Sequence, residues 1–191
     1  MLEKTKKIYW ACLQELKIWS QRFISIFPGK TGQFLRRKYY AKRLGSCGEN
    51  LRMASGVKIA SPECLFLGSH VGINIGAYIT AGGKVYIGDY VGIGPDVKIW
   101  SVNHNYQDPF TPWLKQGSEP QEVHIGDDVW LAAGSIILPG VKIGKGAIIS
   151  AGTVLSKSIP PYAIVAGNPG RVIGWRLHPK ENPDSQQNCS K

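Results

Sequence analysis

Residues 125–155 read IGDDVWLAAGSIILPGVKIGKGAIISAGTVL. Aliphatic side chains recur there at every sixth position: Ile125, Leu131, Ile137, Ile143, Ile149 and Leu155. Four steps after each stands a small or β-branched residue: Val129, Ser135, Val141, Ala147 and Thr153. A period of six matches neither the helical 3.6 nor the strand period of 2. It is a repeat, and repeats decide the fold before local propensity does. Upstream the same spacing runs through Leu67, Ile73 and Ile79, then Ile87, Ile93 and Ile99.

A hexad suits a chain that coils through short flat strands with a turn after each. Three hexads complete one coil, so residues 18 apart stack: Ile125 over Ile143, Leu131 over Ile149, Ile137 over Leu155. Stacked strands lie about 4.8 Å apart and satisfy their backbone groups between coils. The fold class is therefore an all-β solenoid whose core is a column. Gly68, Gly88, Gly94, Gly126 and Gly144 follow inward aliphatics and are expected to give the corners their unusual dihedrals. The period slips twice. Ile79 to Ile87 is eight residues, which predicts a two-residue bulge near Gly82–Gly83, and Ile99 to Ile125 is 26, which predicts a long protruding loop. Loops of that length inside a regular repeat are usually functional.

The remaining chain is organised around this column. Its 191 residues suffice for one solenoid with appendages. Cys12, Cys47, Cys64 and Cys189 have neither metal nor disulfide spacing, which favours a reducing compartment. No secretory signal is expected from the N-terminal stretch, and there is no apolar run of 18 residues. Residues 1–52 hold 12 Lys/Arg against 3 Asp/Glu, so the net charge of +10 belongs almost wholly to that segment. The coil itself is nearly neutral, which argues against nucleic acid as a partner.

Three regions follow: residues 1–46, a basic amphipathic helical extension; 47–175, the solenoid; and 176–191, a polar tail expected to be disordered from Lys180. In the extension, Ile8, Cys12, Leu16, Trp19, Phe23 and Ile26 share a helical face, and Pro28-Gly29 ends the helix. A second helical piece runs to Gly45. Two readings stand for residues 1–43: a cap over the open end of the solenoid, and a peripheral membrane anchor with cations on anionic lipid. Both can hold. After Leu155, Pro160-Pro161 is expected to stop the ladder.

Four histidines could act. His104 stands where the coil opens into the long loop, and an imidazole titrates near neutrality, as a general base must. An ordinary surface role is the alternative. His70 and His124 face outward, and His178 is in the tail. Trp130 is an outward Trp on the coil and needs a covering partner: a subunit, the loop or a ligand. No metal is expected. A zinc hydratase needs three converging histidines, and the spacings of His70, His104 and His124, with Pro109 where a close second ligand would be expected, argue against that arrangement.

From Ile87-Gly88-Asp89 to Ile173 the chain resembles the hexapeptide-repeat acyltransferases, in particular the sugar O-acetyltransferases. The words that carry the resemblance are Ile87–Pro95, Asn103-His104, Ile125–Leu131, Ile137–Val141 and Val165–Ile173. The resemblance implies a left-handed parallel β-helix, an exception to the usual right-handed crossover. It implies a homotrimer with active sites between neighbouring prisms and acetyl-CoA as co-substrate. By resemblance, His104 is the general base and Asn74 helps to hold the acceptor. Trp130 is an aromatic wall of the coenzyme A channel, and Gly134, Ala151, Lys157 and Arg171 meet the pantetheine arm and the phosphates. One departure stands out: relatives often carry a carboxylate where this chain has Ala81-Gly82-Gly83.

The function so implied is acetyl transfer to a sugar hydroxyl in surface polysaccharide or glycolipid assembly. The enzyme would be cytoplasmic, or peripheral on the inner face of the membrane. Acetylation of a small soluble acceptor (antibiotic, free sugar or sugar nucleotide) and a non-catalytic scaffold are the alternatives.

Overall fold

The computed structural model describes Tyr9, Glu15, Leu16 and residues 18–177. The chain winds through six coils of a three-faced parallel β-solenoid. The first face stacks Ser46–Cys47, Leu65–Leu67, Val85–Ile87, Val123–Ile125 and Lys142–Ile143. The second stacks Arg52–Met53, Gly72–Ile73, Gly92–Ile93, Trp130–Leu131, Ile148–Ile149 and Ala163–Ala166. The third stacks Lys58–Ala60, Tyr78–Thr80, Lys98–Trp100, Ile136–Ile137 and Val154–Leu155. Ile125 pairs with Ile143, Leu131 with Ile149 and Ile137 with Leu155, as the 18-residue spacing requires.

Earlier coils run with a spacing of 20. Cys47 pairs with Leu67 and Leu67 with Ile87. The extra residues all leave the coil at one edge, where the third face ends and the next coil begins. In the first coil this is the 3₁₀ turn Pro62–Cys64, in the second Ala81–Lys84, in the third the long insertion 101–122. The bulge at Gly82–Gly83 is therefore found where the spacing put it, and Gly83 is pinned there by the Ser101 hydroxyl. The coil begins with Ser46–Cys47 and Arg52–Met53, well ahead of the first regular hexad at Leu67.

The inward side chains form one continuous buried column, from Leu51 and Met53 to Ala163 and Val165. Each fully buried Ile or Leu in it contributes about 1.5–3 kcal/mol of hydrophobic stabilisation.

Two expectations about corners and ends are corrected. Gly68, Gly88, Gly126 and Gly144 do not have left-handed dihedrals; that conformation falls two residues later, at His70, Tyr90, Asp128 and Gly146. The glycines are required by proximity instead. A Cβ on Gly88 would strike Asp127 Oδ1 and lie 2.9 Å from the Asp127 backbone nitrogen. Pro160-Pro161 does not end the coil either. It occupies a corner, between the bridge of Ile159 to Ile143 and the pairing of Ala163–Ala166 with Ile148–Ile149. The solenoid ends one strand later, where Arg171–Trp175 turns back antiparallel.

At the other end sit two helices. Leu16 and residues 18–26 are helical (α1), and Gly29–Ala41 forms α2. Helix α2 covers the first coil: Tyr40 and Leu44 join the core. Arg36 is buried and donates to the carbonyls of Met53, Phe27 and Ile24. Its burial lowers the guanidinium pKa, but these three carbonyls satisfy the charge. Helix α1 is mounted with its polar side inward. Gln21 donates to Tyr40 Oη and to the Ile59 carbonyl, and the Ser25 carbonyl accepts the Gly56 N–H. The predicted apolar stripe faces outward: Leu16, Trp19, Phe23 and Ile26 are each about two-thirds exposed. Ile8 and Cys12, also assigned to that stripe, lie outside the described residues, as does the tail from His178.

Candidate active site

The insertion 101–122 is not a structureless loop. Val102–His104 pairs antiparallel with Ser118–Pro120, with His104 opposite Ser118, so the segment is an arm with a ribbon at its base. Ser101, fully buried, roots the arm: its hydroxyl donates to the Thr80 carbonyl and accepts from the Gly83 N–H. The tip is organised by Gln116, whose amide donates to the carbonyls of Asp108 and Thr111. The Thr111 side chain and the Phe110 N–H hold the Asp108 carboxyl below its ordinary pKa. His104 is exposed at the end of the first ribbon strand, its ring edge-on to Trp113 at 5.0 Å. Its backbone N–H is taken by Asn103 Oδ1, and among the described residues no hydrogen bond occupies its ring nitrogens. Tyr106, Phe110 and Leu114 project into solvent from the arm.

The other residues expected at the site, Trp130 aside, divide between the two edges of the third face. On the leading edge, where the second face turns into the third, stand Asn74 in the second coil, Gly134 in the fourth and Ala151 in the fifth. The Asn74 carboxamide oxygen accepts the Ile75 N–H at 2.8 Å, and among the described residues no hydrogen bond occupies its NH₂. Gly134 has φ +68°, and the next coil closes on this edge through Gly152 N–H to the Ala133 carbonyl at 2.9 Å. Arg171 tops this edge. The segment before it is tied across the last third-face strand, by Val154 N–H to Gly167 O and Gly170 N–H to Val154 O. On the trailing edge, where the third face ends, stand His104 in the third coil and Lys157 in the fifth. Lys157 and Arg171 are both exposed. One chain thus brings Asn74, Gly134, Ala151 and Arg171 to one side of a face, and His104 and Lys157 to the other.

Trp130 is a little over half exposed on the second face, just before the leading edge. Below it the outward strand positions are Gly92 and Gly72, and below those Arg52, all in direct register. These glycines were not identified from the sequence as functional. Neither has a left-handed φ, and a Cβ on Gly72 would meet nothing within 4 Å. Backbone and packing would accept a side chain at Gly72, so the missing one leaves a trough of about 390 Å³ that Asn74 and Trp130 share. The signal was present in the sequence: the residue before an inward aliphatic is bulky at Phe66, Tyr86 and Lys98 but glycine at 72 and 92. Among the described residues no three of His, Cys, Asp or Glu are grouped to hold a metal.

Residues 122–157 match the family described as bacterial transferase hexapeptide (six repeats). A Saccharomyces cerevisiae protein named provisionally as an acetyltransferase is 34% identical over 164 residues, which is 84% of this chain and 80% of that one. The chain belongs to the hexapeptide-repeat acyltransferases. The galactoside O-acetyltransferase of Lactococcus lactis is 40% identical over 87 residues, 44% of this chain and 40% of that protein. A galactoside acetyltransferase structure in complex with coenzyme A superposes with a TM-score of 0.75 at 27% identity, over 84% of this chain and 79% of the other. Among the described residues, no helix of this family member is long and apolar enough to cross a membrane.

Proposed function

We propose that this acyltransferase moves an acetyl group from acetyl-CoA to a hydroxyl of a sugar, as a homotrimer, with His104 as general base. The observation that carries this reading is the division of the site residues between the two edges of the third face. In a closed ring of three copies, the leading edge of one chain meets the trailing edge of its neighbour. His104 of one copy then faces Asn74 and Trp130 of the next. The exposed apolar tips of the arm supply surface for such a contact.

A hydroxyl is a poor nucleophile at neutral pH. His104 takes its proton as the oxygen attacks the thioester carbonyl, and returns that proton to the departing thiolate. The free NH₂ of Asn74 holds the acceptor oxygen in line, and fixing two large substrates together lowers the barrier further. Similarity to the galactoside acetyltransferase bound to coenzyme A supports the donor.

The test is coenzyme A release from acetyl-CoA with sugar acceptors. His104→Ala is expected to fall by about 10²–10⁴-fold; a fall of tenfold or less overturns the base assignment. Mixed trimers of His104→Ala and Asn74→Ala, each inactive alone, test the shared site. If each site draws one residue from each of two copies, mixing restores about a quarter of the wild-type rate. If both come from one chain, nothing is restored.

The enzyme works at a membrane, on its inner face, in the assembly of surface polysaccharide or glycolipid. The outward apolar stripe of α1 supports this, together with exposed Arg22, Lys38 and Lys42 in the same segment.

A further inference from the structure

Below the trough lies a second hollow, of about 510 Å³, between α2 and the first two coils. Lys30 and Arg37 come to it from α2, Arg52 from the first coil and His70 from the second. Gln33 and Arg52 line both hollows, so the two are continuous along the second face. Among the described residues no carboxylate lines either one. Among the described residues, Lys30, Arg37 and Arg52 have no ion-pair partner; the pairs present involve Lys84, His124 and Arg176. All three cations are exposed. His70 is held differently, stacked on Tyr90 with ring centroids 4.6 Å apart and its Nδ1 3.5 Å from the Asn50 amide.

Three cations around one concave surface, with no counter-charge beside them among the described residues, make a field that draws an anion. Two of them are arginines, whose planar forks fit phosphate oxygens in pairs. Arg52 lies three strand steps below Trp130, which is about 14 Å at the usual strand spacing. A sugar resting on Gly72 and Gly92, with a hydroxyl toward Asn74, would place a group attached to its far side among these cations.

We infer that the acceptor is a phosphorylated sugar, one carrying a phosphate or diphosphate that Lys30, Arg37 and Arg52 bind. This rests on the sugar-acetylating reading above and specifies its substrate class. Sugars on a nucleoside diphosphate and sugars on an isoprenoid diphosphate share this chemistry.

Two measurements on the full chain test it. In the first, inorganic pyrophosphate is titrated calorimetrically at low ionic strength. Wild type binds it, and Arg37→Gln or Lys30→Gln raises Kd tenfold or more. Lys145→Gln, a cation elsewhere on the surface, leaves Kd unchanged. Circular dichroism verifies that the variants fold. A flat wild-type isotherm, or one that Arg37→Gln does not alter, overturns the anion site. In the second, coenzyme A release is compared for a methyl hexoside, a nucleoside diphosphate hexose and the same hexose on an isoprenoid diphosphate. At least one diphosphate acceptor exceeds the methyl hexoside tenfold or more in kcat/KM, and Arg37→Gln reduces that ratio. The better of the two identifies the carrier. Equal turnover of charged and neutral acceptors overturns the acceptor assignment even where pyrophosphate binds. Absence of release with every sugar, with the pyrophosphate isotherm intact, overturns the sugar-acetylating reading instead.

Discussion

Two glycines of neighbouring coils, Gly72 and Gly88, occupy opposite physical situations. Gly88 is pressed against the next coil, with the Asp127 backbone nitrogen 2.9 Å and the Gly126 carbonyl carbon 3.0 Å from where a Cβ would sit. Asp127 there accepts the Asp89 N–H at 2.8 Å, so a methyl group would also displace a bond between coils. Gly88→Ala is expected to destabilise the protein by about 1–3 kcal/mol, the usual range for overpacking. Gly72 has open space beside it, and Gly72→Ala should change stability by no more than about 0.5 kcal/mol. Urea denaturation of the two variants checks both values. Equal losses would mean that the corner glycines are not held by contact between coils.

At the scale of elements, α1 is an amphipathic helix turned over. The Gln21 amide and the Ser25 carbonyl hold it to the body, and its aromatic side faces away. Trp19→Ser with Phe23→Ser removes two exposed rings without touching the pins at Gln21 and Ser25. Each ring would contribute about 1.5–3 kcal/mol on burial in lipid. Co-sedimentation with phosphatidylglycerol vesicles should therefore fall more than tenfold, with thermal stability retained. Equal sedimentation of the double variant sinks the membrane reading. The helical spacing of Leu16, Trp19, Phe23 and Ile26 was legible in the sequence, but its direction was not. Periodicity locates an apolar stripe, and what lies opposite it depends on tertiary partners such as Tyr40 and Ile59. The arm tells the same story: its departure after Ile99 could be read from the broken period, whereas its ribbon, short and largely exposed, has no apolar alternation to betray it.

At the scale of the whole molecule, the column from Leu67 to Leu155 was legible, because Ile125, Ile143 and their counterparts are buried for the same reason in every coil. The continuation past Pro160-Pro161 was hidden, since proline forbids a ladder bond but fits a corner. The trough and its basic extension were harder still. They arise where residues from α2, the first coil and the fourth coil meet, and no sequence window contains all three. Division of the site residues across the third face likewise depends on which corner each occupies.

All three irregular corners of the early coils lie on one edge, and this makes that edge a seam. Four residues, 81–84, close it in one coil; 22 residues, 101–122, close it in the next. The faces on either side keep their register regardless. Grafting the Ala81–Lys84 turn in place of 101–122 should therefore yield a folded solenoid with a cooperative melt but no acetyl transfer. A collapsed or aggregated product would show that the arm belongs to the folding unit. If the graft folds, the histidine proposed as base is carried on an interchangeable cassette, and that residue and the scaffold can be varied independently.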